Sequence, residues 1–155
     1  MRRLSLLLIV VSLAACGGST PTPAGALDAN GVVAALKAAG LSIGQVKVYD
    51  ASSDPNSLLG RPGQYTSKVA FTDANVATSD ATDPFDLTNG GSVEVFASRG
   101  DATKRKDYIA TVTAGLPVLT EYDYLDRSGT VLLRLGHTLT PDQATAYQQA
   151  LATLP

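Results

Sequence analysis

Along this chain apolar residues recur at helical spacing in three stretches and alternate with polar ones in five others. Val32, Val33 and Leu36, with Ala39 or Gly40, fall on one side of a helix predicted over residues 29–39. Asp28 stands at its N-cap position, and Gly40 is placed to end it. A second helix is predicted over 102–113, capped by Asp101. Tyr108, Ile109 and Val112 form its buried stripe, and Lys104, Arg105 and Lys106 lie on its outer side. The third helix has the clearest start. Thr140 caps it, Pro141 takes the first helical position and Gln143 completes a capping box. Its inner face is Ala144, Tyr147, Leu151 and Leu154.

The alternating stretches read as strands. They fall at 45–49, with Val46 and Val48 on one side, and at 66–72, through Val69 and Phe71. A third, at 92–97, sets Val93 and Val95 opposite Glu94 and Phe96. The last two, 119–125 and 130–135, are joined by the hairpin turn Asp126-Arg127-Ser128-Gly129. Turn signals mark Asp54-Pro55-Asn56, and residues 73–91 form a long polar stretch. The order α-β-β-β-α-β-β-α, with short connections, predicts an α+β fold. Its antiparallel sheet has about five strands, with the three helices packed mainly on one face.

The N-terminus follows a different pattern. Arg2 and Arg3 precede the apolar run 4–13, which is too short for a span of ~20 apolar residues and has the anatomy of a signal peptide. The run ends in Leu13-Ala14-Ala15-Cys16. This tetrapeptide resembles the lipobox of bacterial lipoproteins. The resemblance implies a signal peptide over 1–15, cleavage before Cys16, and a diacylglyceryl thioether on Cys16 carrying fatty acyl chains such as palmitate. An ordinary secretory signal cut nearby, leaving Cys16 free, is the alternative. Gly17 follows the cysteine where the family's inner-membrane retention signal would be Asp. Residues 16–26 then read as the lipidated Cys and a Gly/Ser/Thr/Pro tether with a reach of about 20–30 Å. Residues 27–155 remain as a single domain, large enough to bury roughly two-thirds of its unfolded surface.

Charge and cysteine content narrow the choice. The 155 residues carry 12 basic and 14 acidic side chains, and 10 against 14, or −4, without Arg2 and Arg3. A mildly acidic body lacks the electrostatic footprint of a nucleic-acid binder and is not drawn to an anionic bilayer surface. With one cysteine no internal disulfide forms, so the domain relies on packing.

Candidate chemistry is sparse. His137, the only histidine, has no nucleophile elbow to serve and reads as a turn residue. Asp73, Asp80, Asp83 and Asp86 cluster in the polar stretch, but their spacing departs from a calcium loop. Neither a metal nor a cofactor is expected. Glu121 and Asp123 share one face of a strand and could supply acid–base chemistry, although so close a pair reads first as solvent-facing. The segment Gly60-Arg61-Pro62-Gly63-Gln64-Tyr65-Thr66-Ser67-Lys68 is the most suggestive. Its glycines allow close backbone approach, Arg61 offers a planar donor fork, and Tyr65 a ring with a hydroxyl. Arg61, Gln64, Tyr65 and Lys68 are therefore the candidate face for a ligand or partner. Residues 54–68 also resemble a segment of uncharacterised bacterial lipoproteins, a likeness that implies no activity.

The expected function is a lipid-anchored envelope module, non-enzymatic, whose ligand is a protein, a cell-wall component or a small molecule. The alternatives are an envelope hydrolase using acidic residues and an inhibitor or chaperone-like partner of another exported protein.

Overall fold

The computed structural model describes residues 27–77, 81–116 and 119–154. The lipobox with Cys16, the tether and Asp80 lie outside them. Three helices, α1 (Ala29–Ala38), α2 (Arg99–Thr113) and α3 (Pro141–Ala152), accompany five strands. The strands are β1 (Ile43–Val48), β2 (Tyr65–Asp73), β3 (Gly90–Phe96), β4 (Glu121–Leu125) and β5 (Val131–Gly136). They form one sheet in the order β1-β2-β3-β5-β4, with every neighbouring pair antiparallel. The fold is α+β, in the expected element order.

Local chemistry sets the helix ends. Asp28 accepts from the Gly31 amide at α1, and Thr140 and Gln143 form the reciprocal capping box at α3. At α2 the cap is Ser98 rather than Asp101, and the helix begins at Arg99. Asp101 instead holds that cap, accepting from Ser98 Oγ at 2.7 Å while its own amide donates back at 3.2 Å.

Two of the three helices, α1 and α3, share one face of the sheet. There Val32, Val33, Leu36, Tyr147 and Leu151 meet Val69, Phe71, Val93, Leu133 and Leu135 in the main core. Phe71 and Tyr147 stack with ring centres 5.7 Å apart. The face of β1 that holds Val46 and Val48 is solvent-exposed, and that edge strand buries Ile43 instead.

Helix α2 covers the opposite face, and not through the stripe expected of it. Tyr108 and Val112 are exposed, and the helix buries Ala102 and Ile109 against Tyr65, Phe96 and Leu132. Arg105, expected on the outer side, faces the sheet, with only 10% of its side chain exposed. The spacing 102, 105, 109 is a helical face; its middle member is charged because the strand beneath supplies a carboxylate.

Tyr147 also donates to Asp73 Oδ2 at 2.6 Å inside the core. Burial, and then that hydrogen bond, raise the tyrosine pKa. Tyr147→Phe keeps the ring stack but leaves a buried carboxylate oxygen without its donor. Urea denaturation is expected to show a loss of ~1–3 kcal/mol.

Candidate functional site

Strand register gathers the charged side chains beneath α2. Lys68 pairs with Glu94, which pairs with Leu132; one step along, Ser92 pairs with Arg134, which pairs with Asp123. Side chains two apart on a strand share a face. The face opposite the main core therefore carries Lys68, Glu94, Arg134, Glu121 and Asp123 together. Under an open face these groups would sit in water. Here α2 and the segment before β2 close over them.

Glu94 is fully buried and lies at the centre. Its carboxylate accepts from Arg105 Nε at 3.0 Å and Nη2 at 3.4 Å, and from Arg134 Nη1 at 3.3 Å. Arg134 Nη2 also donates to both oxygens of Glu121 at 2.9 Å. Burial alone would lower the Arg134 pKa. Glu94 and Glu121 outweigh it and the pKa rises. Glu121 and Asp123 thus point into a charged layer and not to solvent, against expectation. Asp123 is the weakly held member. Its Oδ1 is buried without a hydrogen bond, with Arg134 Nε 3.9 Å away. Burial and the Glu121 charge push its pKa up to about 7 against the opposing pull of Arg134 and Lys106.

A second buried pair organises the loop before β2. Lys68 Nζ donates to Asp54 Oδ1 at 2.8 Å, with the two side chains 5% and 0% exposed. Asp54 Oδ2 accepts from the Tyr65 hydroxyl at 2.6 Å and from the amides of Leu58 and Leu59 at 2.9 and 3.1 Å. Burial works to raise the Asp54 pKa, and the donors from Lys68, Tyr65 and the two amides overcome it and lower it. The chain turns through positive φ at Gly60 (79°) and Gly63 (72°), which favours glycine at both positions. Asn56 joins the two networks. With its amide oriented to suit the donors around it, its carbonyl oxygen accepts from Lys68 Nζ at 3.0 Å and from Arg105 Nη2 at 3.2 Å.

A cleft of about 540 Å³ opens where this loop meets α2. Asn56, Leu58, Gly63 and Gln64 line it from the loop. Asp101, Lys104, Arg105 and Tyr108 line it from the helix. The four candidate residues do not form one exposed face. Tyr65 and Lys68 are buried as the internal supports just described, Arg61 is exposed, and only Gln64 lines the cleft.

The remaining candidates have local roles. His137 is exposed in the turn after β5. Asp73 is engaged by Tyr147 and the Asn75 amide, Asp83 by the Phe85 amide, and Asp86 caps the short 3-10 turn Leu87–Asn89. Among the described residues no three His, Cys, Asp or Glu side chains stand where they could hold a metal ion. No protein-family model matches the chain, and neither a curated protein nor a solved structure matches it significantly.

Sequence reasoning missed Asp54, Asn56, Glu94, Arg105 and Arg134. The signal for two of them was present: Glu94 and Arg134 are lone charges inside the apolar strands Ser92–Phe96 and Val131–Leu135.

Lys68→Met leaves the Asp54 carboxylate buried without its cation. Denaturant titration is expected to show a loss of ~3–5 kcal/mol. Asp123 provides a pH test. Its folded pKa of about 7 lies above the 3.8 of a free aspartate side chain. Below that lower value both states hold the proton; between the two only the folded state does. Its contribution to stability therefore falls as pH rises toward 7 and is flat above. Asp123→Asn, which mimics the protonated form, should match the parent in melting temperature below pH 4 and exceed it by a growing margin up to pH 8.

Proposed function

We propose that this protein is a lipid-anchored module of the bacterial envelope that binds its ligand without transforming it, at the cleft between residues 56–64 and α2. The anchor rests on Leu13-Ala14-Ala15-Cys16 at the end of a short apolar run. It accords with a described body in which no helix is long and apolar enough to cross a membrane. The observation that carries the binding reading is the support beneath the cleft. Arg105 and Asn56 at its floor are held by Glu94 and Lys68, so the polar groups facing a ligand are fixed before it arrives.

The hydrolase reading draws on Asp123, whose pKa is raised by burial and by the Glu121 carboxylate beside it, a pattern found in acid–base pairs. Both carboxylates, however, belong to the Arg134 network and neither lines the cleft. The cleft's carboxylate, Asp101, is tied to Ser98 and lies 3.7 Å from Lys104.

Two measurements test the proposal. Cys16→Ser should move the protein from the membrane fraction to the soluble one, and intact mass should show acyl chains on the parent only. A photoreactive side chain at Gln64 should crosslink an envelope component in whole cells, while one at exposed Gln148 on α3 should not. An unmodified sulfur ends the anchor reading. Equal labelling from both positions ends the assignment of the cleft.

A further inference from the structure

The cleft also restricts what kind of ligand it fits. Arg105 uses Nε and Nη2 on Glu94 and Asn56. Its Nη1 group has no acceptor among the described residues, although the side chain is 10% exposed and lines the cleft. A guanidinium has five N–H donors in one plane, so two remain for an incoming oxygen. Nη1 is not among the buried unpartnered atoms, so it meets water at the cleft, and a ligand oxygen would take that water's place.

The charge balance excludes a strong preference for either sign. Arg105, Lys104 and Lys68 are matched by Glu94, Asp101 and Asp54 at contact distance. An anion would have to compete with Glu94 and Asp101 for the cleft's two cations. A wholly apolar ligand would leave the polar groups of Asn56, Gln64 and Arg105 without partners. The wall chemistry is instead that of neutral polar recognition, with the amides of Asn56 and Gln64, the Arg105 fork, and an aromatic ring at the rim. Tyr108 is 60% exposed, and the Arg105 guanidinium carbon lies 5.9 Å from its ring centre. An aromatic side chain with an apolar body and a polar tip suits a ligand that has both C–H faces and hydroxyl edges. The volume lies within the range of small-ligand sites.

We infer that the cleft is a binding site for a neutral sugar chain, with Arg105 Nη1 and Gln64 bonding its hydroxyls and the exposed Tyr108 ring packing against the C–H face of a pyranose. This deepens the binding reading above and rests on it. The ring, the free donor pair and the absence of net charge each select for the same class.

The test uses the mature chain carrying Cys16→Ser and labelled with nitrogen-15, titrated with maltotriose, cellotriose and triacetylchitotriose. At least one should shift amide signals confined to residues 56–64 and 101–108. Tyr108→Ala, an exposed position whose loss leaves the fold intact, should weaken that response about tenfold or more. Gln64→Ala should weaken it as well. Arg105→Lys also loosens Glu94, so it serves only with a thermal melt showing that the variant folds. The inference is overturned if none of the three sugars shifts the cleft signals, if Tyr108→Ala leaves affinity unchanged, or if sodium sulfate or a galacturonate trimer produces an equal or larger shift. Crosslinking from Gln64 in cells together with silence toward all three sugars would remove the sugar assignment and leave the binding reading standing. Because the probe protein lacks the thiol, neither result bears on the anchor.

Discussion

The carboxylate of Glu94 holds the second half of this structure together. It lies at the middle of the sheet, fully buried, and receives one guanidinium from α2 and another from β5. The energetics of such a centre are asymmetric. Removing one partner strands a charge and costs several kcal/mol, whereas replacing the whole set by apolar groups of similar volume is often neutral or stabilising. The cluster is therefore a poor device for adding stability and a good one for fixing a single arrangement. Arg105 is held by Glu94, Arg134 spans Glu94 and Glu121, and the Asn56 oxygen lies between Arg105 and Lys68.

The two faces of the sheet follow different physical rules as a result. Beneath α1 and α3 the contact is a continuous apolar layer, and hydrophobic burial grows with each side chain added. Beneath α2 the apolar contribution is small, with Ala102 and Ile109 as the helix's buried hydrophobic residues. Polar attachments carry the rest: Arg105 to Glu94 at the middle, and Arg99 to the carbonyls of Arg127 and Ser128 at the start. Local stability tracks buried apolar contact, so α2 belongs to the less protected layer of the domain. The cleft lies along the boundary of that layer, where the charged network, and not apolar packing, sets the position of its walls.

Much of the architecture was legible in the sequence because period and punctuation agreed. Thr140-Pro141 with Gln143 left one reading for the last helix, and the alternation through Val93 and Val95 assigned both faces of β3. The errors lie where a charged residue occupies an inward position. Arg105 sits between Lys104 and Lys106 in a basic run, and nothing local distinguishes the one that turns inward. Only the Cα register, which sets Lys68 beside Glu94 and Arg134 one step along from it, reveals a carboxylate waiting under the helix. The same non-local pairing removed Tyr65 and Lys68 from the surface. Gln64 was recoverable because it lies in a segment whose glycines and proline mark an irregular connection, and such connections border clefts.

The geometry of attachment bears on how the cleft could be used. Leu27, the first described residue, packs against the α1–α3 core layer, and the Ala29 amide donates to Ser67 Oγ at 2.9 Å. The described chain therefore begins on the layer opposite α2. A body of this size has a radius of gyration of about 14 Å. Under the proposed anchor, a tether of about 20–30 Å would exceed that radius and press neither face against the bilayer. With 10 basic and 14 acidic side chains outside Arg2 and Arg3, an anionic surface would repel close approach of the body as a whole. Under the proposed anchor, a chain that begins on the α1–α3 side keeps its point of attachment away from the Arg105–Tyr108 side, which stays open to the surrounding envelope. That orientation is the one a recognition surface built on α2 requires.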